Sequence, residues 1–458
     1  MTPGSSGDVV VRTDREPGAG PVGATGGPAP GFDPERWISR TVRLDIEVDL
    51  LSLAGADGTL FEQGRRGLAG LDPLPERLVV PRDSPEVASA AVMAALSAIV
   101  SDDRVGRPGC GPVAIGALPF DPTAPASLVV SRATVGRAED GTRWITTLID
   151  RDARPDDHDE LVGHVIERTL TGGPRRGDTD PVAAPISDIR ITSSRPPLDW
   201  CDAVRDARDE LRRGAADKVV LAREVVVRAD ADLSRTAILD RLRRAYPSCM
   251  LYAVDGFIGA TPELLVSRLD DNVRSHPMAG TTPRSADPTT DARLAAALLA
   301  STKDREEHRI TIDMVHDTLL RYCSYIDEEA EPSIVAMANV SHLATLVEGR
   351  LSSPPASAIE LMTALHPTPA VCGSPRDAAL ALIARYEHLD RGPYAGPVGW
   401  VDAAGNGEWA VGLRCAELDG PTARLFAGVG VVPDSDPDAE LAETQAKLQA
   451  ILAAVIRP

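Results

Sequence analysis

Residues 251–269 read LYAVDGFIGATPELLVSRL, two alternating runs joined by Asp255-Gly256. An Asp-Gly pair between alternating apolar runs signals a two-residue hairpin, because both residues accept the positive φ that such a turn demands. This commits the middle of the chain to antiparallel strands. Just upstream, DKVVLAREVVVRAD (217–230) alternates as another strand. Helical patterns surround these strands. Asp199, placed after Pro196-Pro197 as the expected N-cap, opens a helix over DWCDAVRDARDELRRG that Gly214 ends. Residues 289–326 read as one long helical region and 435–456 as another. Blocks of strands followed by helices predict an α+β layered fold.

The first half is less regular. Within 37–150, the stretches TVRLDIEVDLLSL, RLVVPRD, VAIGALPF, SLVVSRATVGR and RWITTLID read as antiparallel strands crossed by one Ala-rich helix. Residues 1–34 hold 14 Gly or Pro and few large apolar side chains, the composition of a disordered tail. Residues 151–184, with RPDDHDE and TGGPRRGDTDP, read as an exposed, mobile connection between a first part (35–184) and a second (185–458) of one catalytic domain.

Charge narrows the partners. With 48 basic and 68 acidic residues the net charge is −20, which argues against nucleic acid or an anionic membrane. An anionic substrate would need a local cationic pocket or a bound metal ion. The N-terminus has no basic start followed by an apolar core, and 87–100 is too short to span a bilayer. The six cysteines are scattered, without a CxxC pair, and read as free thiols of a cytoplasmic protein.

Only three of the 48 basic residues are lysines: Lys218, Lys303 and Lys447. A lysine can serve as a base when neutral, as burial favours, and arginine cannot. Each lysine lies in a segment with other chemical promise. In the last helix Glu440, Glu443 and Lys447 share one face, either as a solvated stripe or as ligands. STKDREEHRI carries Asp304, Glu307 and His308 on another helix, and two such helices could hold one hard cation between them. GVGVV (428–432) reads either as bare backbone that approaches an anionic ligand or as a tight strand-end turn, and Gly280-Thr281 in HPMAGTTPR offers a small hydroxyl and bare backbone at a strand end. Arg414, expected inside an alternating strand, requires an acidic neighbour or an anionic ligand if buried.

KVVLARE, GATPELL, HPMAGTTPR, STKDREEH, HLATLVEG, LHPTPAVCGSP, DRGPYAGPVGWVDAAGNGEW, LRCAEL and LFAGVGVVPDSDPDAELAETQAKL follow one another over 218–448. In these blocks the chain resembles the chorismate-utilising enzymes, and among them most closely the isochorismate synthases. The first half carries only the general layout of the family's N-terminal region. The resemblance implies a layered α/β sandwich of two related halves with antiparallel sheets and the active site between them. It implies conversion of chorismate to isochorismate with one magnesium ion, by a monomer without a glutaminase subunit.

By the same resemblance, Lys218 is the general base that activates water for attack at C2, and Glu263 the general acid that protonates the departing C4 hydroxyl. Asp304, Glu307, Glu440 and Glu443 form the magnesium site, directly or through water. Tyr394 and Arg414 hold the enolpyruvyl carboxylate, Gly428 and Gly430 offer backbone donors, and Gly280, Thr281, His342 and Lys447 line the pocket. Ammonia-using relatives generally lack a lysine at the position of Lys218. Salicylate synthases keep it but typically lack the GPVGW and GNGEW segments found here. A non-catalytic chorismate-binding module would be expected to have lost one of Lys218, Glu263 or the glutamates. Whether the product feeds menaquinone, a catechol siderophore or salicylate is not written in the sequence.

Overall fold

A computed structural model describes residues 31–154, 156–171 and 188–457. Most of the expected tail, residues 1–30, lies outside the described residues, as do 172–187 of the expected connection. At the tail's described end, the Phe32 N–H donates to Arg77 O at 3.2 Å.

One large sheet, almost wholly antiparallel, and a separate three-stranded sheet carry the fold, with ten α-helices among the described residues. The exception is Trp37–Arg43, which pairs in parallel with Val100–Asp103. The expected hairpin forms between Met250–Val254 and Phe257–Thr261, with φ of 48° at Asp255 and 83° at Gly256. Both parts of the chain share the large sheet. Thr59–Gln63 pairs with Met250–Val254, and Val113–Ala117 with Pro397–Asp402. Apolar side chains pack on the sheet in two clusters, one built around Trp37, Trp200 and Trp409, the other around Leu50, Leu239 and Ile451. The Ala-rich helix, Pro85–Ala98, lays Ala88, Val92 and Leu96 on the first cluster, and Ser84 Oγ caps it by accepting the Val87 N–H.

Several local expectations are corrected. The strand read over TVRLDIEVDLLSL stops at Arg43, and Leu50–Ala54 is a short helix. Leu50, Leu51, Leu53 and Ala54 are all buried, and a short run that is apolar all round has no period to separate strand from helix. The supposed connection contains the helix Asp156–Thr171, whose acidic first turn suits the helix dipole and whose Val165 is buried. Asp199 lies in the first turn of Pro197–Arg212 rather than at its cap. The long helical region is two helices, Pro288–Ala300 and Thr302–Leu320, followed by the strand Cys323–Glu328. Ser301 ends the first helix and caps the second, its Oγ accepting the Asp304 N–H at 3.2 Å. The Ser-x-x-Asp spacing is a helix-start signal that the continuous periodicity masks.

Candidate active site

Segments distant in sequence build one pocket: the strand Lys218–Ala229, the turn after Phe257–Thr261, the small sheet, the helix Thr302–Leu320, the loops that carry Val371, Tyr394 and Arg414, and the strand Thr422–Val431 with its following helix Pro437–Ile456. Lys218, Glu263, Gly280, Thr281, Asp304, Glu307, His342, Tyr394, Arg414, Gly428, Gly430, Glu440, Glu443 and Lys447 all line it. Among the described residues, none before Lys218 does.

Lys218 opens its strand and is buried, with Nζ 3.3 Å from Glu307 Oε2. Opposite it runs Thr422–Val431, with Gly430 facing Val220 and Gly428 facing Ala222. The two glycines therefore lie within the strand rather than in a tight turn after it. A Cβ on Gly430 would stand 2.6 Å from Lys218 Cε, so the missing side chain is what leaves room for the lysine. The N–H groups of Val220 and Ala222 point to the far edge of their strand, where they donate to Cys372 O and Glu387. Strand alternation then turns the polar backbone of Gly428 and Gly430 away from the Lys218 strand, and Gly428 O accepts from Lys447 Nζ at 2.9 Å.

Glu263 sits between two strands, its backbone held by Thr261 Oγ1 and by the Val411 N–H. Its Oε1 is buried without a partner, and burial pushes the carboxyl up to about 7. It can therefore carry and give up a proton near neutrality.

Arg414 is not inside a strand. It lies between Gly407–Val411 and Cys415–Asp419 with φ of 50°, and is buried with no acidic neighbour in salt-bridge range among the described residues. Its Nη2 lies 2.9 Å from His342 Nε2, while its Nε has no partner. Of the two possibilities read from sequence, the anionic ligand is the one left open. His342 comes from the small sheet, where it faces Thr281 across a bulge that gives Gly280 a φ of 80°. Gly280-Thr281 is thus a strand interruption rather than a strand end. Tyr394 stacks on Phe426 with ring centroids 5.2 Å apart, and a Cβ on Gly428 would stand 3.0 Å from its hydroxyl.

The acidic helices do face each other. Lys303 Nζ stands 3.9 Å from both Glu307 Oε1 and Glu440 Oε1, and Lys447 pairs with Glu443 at 2.7 Å. All three lysines therefore line the pocket, Lys303 included. Burial above all, then Glu443, pushes the Glu440 carboxyl up to about 7 against an opposing hydrogen bond from Ser435. Asp304 also accepts from Ser301 Oγ as part of the helix cap. No group of three or more His, Cys, Asp or Glu among the described residues is drawn together as a finished metal cluster. The donor set is nonetheless all carboxylate oxygen, the ligand chemistry that a hard divalent cation takes.

The sequence reading passed over other walls of the pocket, notably Met278, Val371, Leu413 and Phe426. Each is an apolar residue with the pattern of ordinary core.

Comparison with known proteins places these features in a family. A family model described as chorismate binding enzyme matches residues 69–456. Isochorismate synthase DhbC of Bacillus subtilis is 35% identical over 358 residues, covering 75% of this chain and 81% of that protein. Isochorismate synthase EntC of Escherichia coli is 33% identical over 375 residues, covering 81% and 87%. The solved structure of MenF, the menaquinone-specific isochorismate synthase of Escherichia coli, shares the fold with a TM-score of 0.73 at 24% identity, over 92% of this chain and 94% of that one. The chain belongs to the family of chorismate-binding enzymes.

Proposed function

We propose that this chain is an isochorismate synthase, converting chorismate to isochorismate. The observation that carries the reading is a buried lysine and a buried glutamic acid with one unpartnered oxygen on one pocket, in a chain similar over most of its length to two isochorismate synthases. In the reaction, Lys218 takes a proton from water as the oxygen bonds to C2. The ring double bonds shift, the bond from C4 to its hydroxyl breaks, and Glu263 gives that hydroxyl its proton, so it leaves as water. Addition and loss of one water leave an isomer.

Arg414 offers a free guanidinium edge to the enolpyruvyl carboxylate, and Tyr394 sets the wall beside it. Glu307, Glu440 and Glu443, with Asp304 beside them, would hold magnesium, which supplies charge neutralisation for a substrate carboxylate. Lys303 and Lys447 hold those carboxylates in place from the pocket rim. Both parts of the chain act as one catalytic domain, monomeric, cytoplasmic and without a glutaminase. In keeping with one domain, strands of the two parts pair. No helix among the described residues is long and apolar enough to cross a membrane.

The test is to incubate purified protein with chorismate and magnesium, without ammonia, and follow products by chromatography. Isochorismate, formed reversibly, is expected. Salicylate plus pyruvate as the main enzymatic product would replace the reading with salicylate synthase. Chorismate binding without turnover would make the chain a binding module.

A further inference from the structure

The strand Lys218–Ala229 is paired along one side by Thr422–Val431, but its other edge has a gap. Gly373-Ser374 covers Val219 and Lys218, and Ile189–Ser193 covers Val225–Ala229. No strand among the described residues covers 220–224. Buried backbone groups must still be satisfied. Here side chains take the place of the missing strand. The Ala222 N–H donates to Glu387 Oε2 at 2.7 Å, Arg391 Nη2 donates to Val220 O at 2.8 Å, and Trp200 Nε1 donates to Ala222 O at 3.0 Å.

Glu387 and Arg391 are themselves joined by two bonds, 2.6 Å from Nε and 2.7 Å from Nη2, and both are almost fully buried. Arg391 Nη1 reaches Val371 O at 2.9 Å, its Cζ lies 4.0 Å from the centre of the Phe120 ring, and its own carbonyl accepts the Tyr394 N–H at 3.0 Å. One residue thus ties the Lys218 strand, the pocket wall at Val371 and the turn that carries Tyr394. Neither member of the pair lines the pocket.

A buried ion pair is a poor source of net stability, because desolvating two charges offsets most of their attraction. Its distinctive property is a set of short, directional, charge-assisted bonds. We infer that Glu387 and Arg391 are positioning residues, a side-chain substitute for a strand that fixes where Lys218 stands in the pocket. The inference rests on the proposed role of Lys218 as base. A proton-abstracting group misplaced by about 1 Å can lose about 10²-fold in rate, so a rigid strut two residues along the same strand has a direct catalytic consequence.

Arg391→Lys tests this, since an ammonium keeps the charge but cannot span Glu387, Val220 and Val371 together. We expect kcat to fall roughly 10- to 100-fold while KM for chorismate moves less than about threefold. In a Lys218→Ala background, assayed for residual turnover, the same substitution should cost almost nothing more, because its effect runs through the lysine. Hydrogen exchange in peptides spanning 218–224 should quicken while the melting temperature holds. Equal losses in both backgrounds, or unchanged exchange in those peptides, would overturn the inference. Should Arg391→Lys fail to fold, Glu387→Gln, which keeps the shape and removes the charge, carries the same comparisons. If wild-type protein makes no isochorismate, the functional reading fails, while the exchange measurement still decides whether the pair fixes the strand.

Discussion

Arg414 donates through Nη2 to His342 Nε2 at 2.9 Å, and this one contact fixes the chemical state of both residues. A guanidinium has no acceptor, so Nε2 must carry the lone pair and Nδ1 the hydrogen. That hydrogen faces Thr281 Oγ1 at 3.1 Å and Gly280 O at 3.3 Å. Burial, and then the cations Arg414 and Lys447, hold the His342 pKa well below its ordinary value, so the ring stays neutral as the geometry requires. The guanidinium is aimed, and its Nε remains unused.

Arg414→Lys should therefore weaken substrate binding more than chemistry. Losing a charge-assisted contact costs about 1.5–3 kcal/mol, which corresponds to a rise in KM of roughly 10- to 100-fold. Steady-state kinetics check it. A KM within a factor of about two of wild type would remove Arg414 from carboxylate binding.

Glu263 must be protonated to act as the acid, and burial raises its carboxyl to about 7. Turnover should thus fall as pH rises through about 7, and Glu263→Gln should lose that limb together with roughly 10²–10⁴-fold in rate. Lys218→Arg should lose a similar factor, because arginine does not yield its proton near neutral pH. A pH–rate profile of each variant decides both. More than about a tenth of wild-type turnover in Lys218→Arg contradicts the base role.

Gly430→Ala is a small change aimed at one atom. The new Cβ would press on Lys218 Cε, 2.6 Å away, and the flexible end of a lysine can yield without unfolding the sheet. Stability should drop by no more than about 1 kcal/mol, the cost of an off-rotamer side chain, while kcat falls roughly 10- to 100-fold. Thermal melts paired with kinetics separate the two, and unchanged kcat would mean that Lys218 does not need its present position.

Chelation should abolish turnover, with magnesium restoring it. Glu307→Gln, Glu440→Gln and Glu443→Gln should each raise the magnesium needed for half-maximal rate by roughly tenfold or more. Full activity in EDTA would exclude the proposed metal site.

His366 gives a pH prediction about the fold itself. It is buried, donates from Nε2 to Phe120 O at 2.9 Å, and burial lowers its pKa from 6.5 to about 3. Because the folded value is depressed, its contribution is present above about pH 6.5 and is lost as pH falls toward 3. His366→Gln keeps a donor without titrating. Relative to that variant, the wild-type protein should lose a few kcal/mol of stability across this window. Parallel curves in urea titrations at each pH would show that His366 is not held neutral.

Local chemistry alone decided a good part of this molecule. Asp255-Gly256 makes its turn because two small-φ-penalty residues stand together, and Asp436-Pro437 starts the last helix where the cap and proline place it. That a buried Arg414 requires an acidic neighbour or an anionic ligand follows from its side chain alone. Other readings failed where composition or periodicity stood in for the actual surroundings. Arg414 was expected inside a strand and lies between two, and Gly280-Thr281 was expected at a strand end and lies inside one. The helix Asp156–Thr171 and the break at Ser301 were hidden under composition and periodicity. The opposition of Gly430 to Val220, the gap filled by Glu387 and Arg391, and the gathering of three lysines join segments separated by much of the chain. Alternation along a strand fixes which face a residue takes, but the register between strands is set by packing over the whole sheet, and only the folded chain contains it.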